Sequence, residues 1–153
     1  MIRVQREDFD LATELRALTA GKTGIGGVVS FIGLVRDFAG GSEVSAMTLE
    51  HYPGMTERQL EAIDREAQAR WPLAATLVVH RYGRMEPGEQ IVLVIAASAH
   101  REAAFEACHF LIDWLKTKAP FWKVEEGQEG PRWVEAQETD VTAAARWAKR
   151  RDQ

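Results

Sequence analysis

The apolar positions of this chain alternate between two periods, and the switches mark the elements. Residues 2–5 read as a short edge strand. Leu11, Leu15 and Leu18 then recur at helical spacing behind Asp8 or Asp10, either of which can cap the helix, and Gly21 ends it. Residues 24–35 (GIGGVVSFIGLV) are β-branched and Gly-punctuated, which predicts a strand with a tight turn or bulge near Gly26-Gly27 and Gly33. Residues 37–43 (DFAGGSE) read as a flexible polar loop, and residues 45–52 as a strand stopped by Pro53-Gly54.

Thr56 with Gln59 three positions later is a capping-box signal for a helix to about Arg70, closed by Trp71-Pro72. Residues 75–82 and 90–97 are apolar strands separated by a turn at Glu86-Pro87-Gly88. Ser98 is placed to cap a long helix to about Ala119, where Pro120 forbids continuation. A short hairpin over residues 121–125 and 132–136 follows, and Asp140 starts a terminal helix to about Lys149. Strands and helices mix without strict βαβ alternation, so the pattern predicts an α+β fold with a mixed or antiparallel sheet.

Composition narrows the function classes. At 153 residues, 46% hydrophobic and 27% charged, the chain is expected to form one globular domain spanning residues 1–153. The net charge of -4 argues against nucleic-acid binding, which favours basic domains. Basic residues are nevertheless uneven, with Lys116, Lys118 and Lys123 within eight positions. The start of the chain lacks an apolar signal-peptide core, and no apolar run approaches the roughly 18 residues of a membrane span, so a soluble, cytoplasmic protein is expected.

Few residues are candidates for chemistry. The single cysteine, Cys108, shares an apolar helix stripe with Ala104, Phe105, Leu111, Ile112 and Leu115 and reads as a buried core residue. His51, His80, His100 and His109 show neither HxH nor HExxH spacing, so no metal site is expected. His80 reads as a satisfied sheet residue and His109 as a solvent-facing one. His100 with Arg101 sits at a helix start, where backbone N–H groups favour anions, so the pair is either an anion site or ordinary surface. Lys116 and Lys118 suit a helix C-terminus, while Lys123 lies between Trp122 and Val124 in a strand, where an inward lysine is costly unless it has a task. Arg36, at the end of a strand and the mouth of a Gly-rich loop, is either a ligand contact or a surface residue. Along one helix, His100 and Lys116 would lie about 24 Å apart at roughly 1.5 Å per residue, too far for one small-molecule pocket within a single chain. Either one of these groups is not in the site, or, as we expect, a symmetric dimer brings His100 and Arg101 of one chain to Lys116 and Lys123 of the other.

Taken in series, several segments resemble the large, catalytic subunits of molybdopterin synthase (the MoaE type). They are FIGLVR at 31–36, LEHYPGMTE at 49–57, HRYG at 80–83, PGE at 87–89, SAHR at 98–101 with Ala104-Phe105, LKTKAPFWK at 115–123 and RWVEA at 132–136. The resemblance implies an α/β-hammerhead fold and a homodimeric core with a small ubiquitin-like sulfur-carrier subunit at each end. It implies transfer of sulfur from the carrier's C-terminal thiocarboxylate to cyclic pyranopterin monophosphate, giving the dithiolene of molybdopterin, with no cofactor. By position, Lys116 and Lys123 would be catalytic. The substrate-binding set would comprise Phe31, Leu34, Val35, Arg36, His100, Arg101, Lys116, Lys123, Val124 and Glu125. One departure stands out: the family often carries an arginine where this chain has Gln137. The alternatives that the residues leave open are a lysine Schiff-base lyase and a non-catalytic module that captures an anion or acidic tail.

Overall fold

The structure, a computed structural model, describes residues 1–39, 42–127, 130–134, 142 and 145–148. Its elements run β1 (Ile2–Gln5), α1 (Leu11–Thr19), β2 (Gly27–Leu34), β3 (Phe38–Ala39), β4 (Ser42–His51), α2 (Met55–Arg70), β5 (Leu73–Arg81), β6 (Gly83–Met85), β7 (Gln90–Ser98), α3 (Arg101–Thr117), β8 (Phe121–Gly127) and β9 (Gly130–Val134). They form the expected α+β architecture with two sheets. In the first, ordered β1-β5-β7-β2, only β1 and β5 run parallel. The second is antiparallel, ordered β3-β4-β8-β9 with β6 also on β4.

The central strands of the first sheet are buried on both faces, which is why β5 and β7 read as nearly unbroken apolar runs. Strand alternation sends their side chains to two layers. Val78, Val92, Val94 and Ala96 pack under α2 and α3 with Leu60, Ile63, Ala107, Phe110 and Leu111. Leu77, Val79, Leu93 and Ile95 pack on the other side with Phe9 and Leu18, beneath α1. The second sheet meets the first through Val35, Met47, Leu49 and Met85, with Ile91 and Phe121 against them.

Several boundaries move for local reasons. Ser98 does not cap α3: it ends β7, its hydroxyl donates to the Pro72 carbonyl at 2.7 Å, and His100 takes the N-cap position. Gly54, with φ of 84°, caps α2, and the Glu57 carboxylate accepts from its N–H at 2.6 Å. Thr56 instead accepts from the Tyr52 N–H at 3.0 Å and donates to the Pro120 carbonyl at 3.2 Å. The loop expected over 37–43 contributes β3, whose Phe38 pairs with Glu43. Gly26 runs so close to the β7–α3 connection that a Cβ there would lie 2.1 Å from the Ala99 carbonyl oxygen, while the bulge of β2 falls at Gly33/Leu34. Gln137 and Asp140 lie outside the described residues.

From the far end of the chain, Trp147 is buried against α2 and α3. Its indole packs edge-on to Trp71 and Phe110, both with ring centres 5.6 Å away. Its N–H donates to the buried Asp113 carboxylate at 2.7 Å, and Arg70 donates to its carbonyl at 3.1 Å.

Candidate functional site

The candidate site lies where the C-terminal end of α3 meets β8 and β4. Register decides what faces inward. On β4 and β8, His51 pairs with Phe121, Leu49 with Lys123 and Met47 with Glu125, so all six side chains share one face of the second sheet. Leu49 and Met47 belong to the cluster that packs against Val35 and Ile91, so this face looks toward the first sheet. Lys123 therefore stands on the inward-looking face, with its side chain still 37% exposed. Its ammonium lies 3.2 Å from the carboxylate of Glu125, which is 4% exposed. The pair reduces the cost of placing either charge here. Val124 alternates to the opposite face with Trp122.

Phe121 ties this face to α3. Its ring stacks on the buried imidazole of His80 at 3.8 Å and 17°, and lies 6.5 Å from the ring of His51. His51 in turn packs on Tyr82 at 4.1 Å and sits 3.7 Å from the Glu57 carboxylate. Burial pushes the pKa of His80 down from 6.5 to about 4, and the nearby Lys116 and His51 act in the same direction. The ring is thus neutral at physiological pH. Its Nδ1 lies 2.9 Å from the Arg81 carbonyl, a bond the ring can make only as donor, which places the single proton on Nδ1. Lys116, in the last turn of α3, is exposed and close enough for its charge to act on that ring.

The segment 31–36 approaches from β2. Val35 is buried against Met47, Leu49 and Met85. Its N–H donates to the Glu89 carbonyl at 2.9 Å, and its own carbonyl accepts from Gly88 at 2.8 Å. This staple to the 86–89 turn fixes where exposed Arg36 leaves the sheet. Phe31 and Leu34 are exposed on β2, at 37% and 52%. Arg36, Lys116 and Lys123 each stand within five residues of the Val35–Phe121 packing in the chain. His100 and Arg101, both exposed, open α3 at its other end, and the unbroken run of that helix keeps them away from Lys116 within one chain. Local spacing singles out neither Phe121 nor Tyr82, and it weighs His51 only as a metal ligand. One available signal was His80 itself, an imidazole in a strand where every neighbour is apolar until Arg81.

Comparison with known proteins settles what this scaffold is. The family model described as MoaE protein matches residues 4–118. This chain belongs to the MoaE family. The molybdopterin synthase catalytic subunit of Pseudomonas aeruginosa is 60% identical over 146 residues, covering 95% of this MoaE chain and 97% of its own length. The molybdopterin biosynthesis MoaE protein of Burkholderia ambifaria superposes with a TM-score of 0.83 at 51% identity, over 97% of each chain. The crystal structure of molybdopterin synthase from Staphylococcus aureus has a TM-score of 0.79 at 29% identity, over 86% of this chain and 95% of that one.

The thiol of this MoaE chain is not placed to act as a nucleophile. Cys108 is buried in the α2–α3 layer, and burial pushes its pKa up to about 11, so almost no thiolate forms near neutral pH. Cys108→Ala is expected to leave turnover within about twofold of the parent and to cost roughly 1 kcal/mol of stability for the lost packing. Steady-state rates and urea melts of the two proteins check this. A large loss of rate with intact folding would assign the thiol a chemical part.

Proposed function

We propose that this chain, acting as one catalytic domain, transfers sulfur from the thiocarboxylated C-terminus of a small ubiquitin-like carrier subunit to cyclic pyranopterin monophosphate, forming the molybdopterin dithiolene. It is a sulfurtransferase whose sulfur arrives on a partner, a reading supported by the buried, high-pKa Cys108. The site assignment is supported by the packing of Val35, which precedes Arg36, in one cluster with Phe121, which stands between Lys116 and Lys123 in the chain of an otherwise acidic protein. Both the donor tail and the phosphate substrate are anionic, and a local cationic hollow concentrates them.

Lys116 transfers a proton or stabilises the negative charge on the carrier's carbonyl oxygen, which appears when water adds to that carbon and disappears as the carbon–sulfur bond breaks, leaving sulfur on the pterin and a carboxylate on the carrier. Lys123, pre-aligned by Glu125 at 3.2 Å, holds the pterin or the developing anion. Arg36, with Leu34 and Val35 behind it and Phe31 on the wall, contacts substrate, and Val124 and Glu125 extend the Lys123 side. No helix among the described residues is long and apolar enough to cross a membrane, and cytoplasmic action belongs to this reading.

The partners are the carrier and a second copy of the chain. His100 at the N-cap of α3 and Lys116 in its last turn are about 24 Å apart at roughly 1.5 Å per residue. A complete anion site therefore takes His100 and Arg101 from one protomer and Lys116 and Lys123 from the other. The direct test is incubation with thiocarboxylated carrier and the cyclic pterin, following dithiolene formation; binding of the tail with no conversion would leave only a capture module. Mixing Lys116→Ala with Arg101→Ala protomers is expected to recover roughly a quarter to a half of the activity per assembly, because one of the two shared sites becomes whole. Heterodimers as inactive as either parent would place the whole site in a single protomer.

A further inference from the structure

His80 is an expensive choice for its position. It pairs with Val4 and Val92 between β1 and β7, and the strand around it is apolar. A valine would fill the site without any polar atom to desolvate. Nor does the imidazole tie distant elements together, since its one hydrogen bond goes to the carbonyl of the next residue, Arg81. With the proton on Nδ1, Nε2 keeps a lone pair, and among the described residues it accepts no hydrogen bond from the protein.

What the ring does touch belongs to the site. It stacks on Phe121, which stands five residues after Lys116 and two before Lys123. The ionisable groups around it are Lys116 from α3, His51 from β4, which faces Glu57 of α2, and Arg81 of its own strand, whose guanidinium is engaged by the Gln90 carbonyl and Glu89. We propose that His80 is a positioning residue for Lys116: its Nε2 lone pair accepts a hydrogen bond from the Lys116 ammonium, directly or through one water, and holds that ammonium toward the Phe121–Lys123 face during turnover. The proposal rests on the sulfur-transfer reading of the site and adds a residue to it.

The arrangement has a chemical consequence. An acceptor that stays neutral steadies the charged form of the lysine without adding a second positive charge beside it. Lys116 is then kept as an ammonium, suited to stabilising an anion or giving up a proton, and is not primed as a free amine nucleophile.

The test uses the assembled enzyme with its carrier and compares His80→Phe, His80→Asn and His80→Gln. Phe keeps the stack on Phe121 and loses both nitrogens. Asn can still donate to the Arg81 carbonyl but does not reach as far as Nε2, whereas the Gln carbonyl reaches about that far. The first readout is the titration of Lys116, followed by pH-dependent competitive acetylation and mass spectrometry, which needs no activity. Phe and Asn are expected to lower the apparent pKa of Lys116 by about half a unit or more, with Gln restoring part of the loss. The second readout is kinetic: kcat falls about tenfold in Phe and Asn, KM for the pterin stays within about twofold, and Gln recovers part of kcat. If Lys116 titrates identically in all the folded variants, or if rates merely follow melting temperature, the proposal is wrong. Should Phe not fold, the Asn and Gln pair decides. Lys116→Ala serves as the control for the parent reading: full turnover without Lys116 overturns the site assignment, while the acetylation result still reports on the His80–Lys116 link.

Discussion

Lys116→Ala is expected to fold, dimerise and bind its carrier normally, yet lose about a hundred- to a thousandfold in the rate of dithiolene formation, the usual cost of removing one preorganised donor from a developing anion. The side chain is exposed, so truncating it should change stability by no more than about 0.5 kcal/mol. That separation makes the variant informative, and single-turnover rates beside urea melts check both halves. Lys123 offers no such clean test. Removing its ammonium withdraws the ion pair from Glu125, a carboxylate only 4% exposed, so Lys123→Ala mixes lost chemistry with lost stability. Lys123→Arg, which keeps the charge, is the more useful companion. Near-normal turnover in Lys116→Ala would remove this residue from the mechanism.

A loss of stability in mild acid is the second expected result. In the unfolded chain the His80 ring titrates near 6.5, whereas in the folded protein burial holds it at about 4. Between those values unfolding takes up a proton, so stability falls as pH falls. The contribution is fully present above pH 6.5, declines through the window and levels off below about pH 4. At about 1.4 kcal/mol per pH unit, the interval amounts to roughly 3 kcal/mol. Asp8 acts in a lower window. Its pKa is held below 3.8, chiefly by the hydrogen bond from Gln90, so its share is present above that value and is lost only in stronger acid. Urea melts from neutral pH to about pH 4 should therefore show His80→Phe with a much flatter acid limb than the parent. Parallel limbs would mean that the buried ring is not what resists protonation.

Much of this architecture could be read from the chain because β5, β7 and the three principal helices are set by strong local signals. The apolar runs at 75–82 and 90–97 are long enough to demand burial on both faces, and Asp10 caps α1 through a side-chain oxygen 3.0 Å from the Thr13 N–H. What escaped were features made by tertiary contact. β6 has three residues and exists because Gly83 to Met85 find β4 beside them. β3, with two residues, depends on its partner in the same way. Ser98 carried a genuine capping signal, but the Pro72 carbonyl claims its hydroxyl.

The site divides similarly. Arg36, Lys116 and Lys123 stand out as charges at element ends or within a strand. The aromatic group of His51, His80, Tyr82 and Phe121 does not, because three separate strands meet to build it. Nothing in local spacing announces such a meeting. The distance between His100 and Lys116, by contrast, followed from helix geometry alone, and α3 keeps them apart as that geometry required.

Trp147 gives α3 a dependence on the order in which the chain is made. The helix bearing Lys116 leaves the ribosome well before the indole that fills the pocket between Trp71 and Phe110 and bonds Asp113. A nascent or truncated polypeptide carries its lysines on a helix whose roof is still missing. Tight packing of α3 is thereby coupled to synthesis of the segment that carries Trp147, and products interrupted before it are expected to be loosely packed and open to proteolysis.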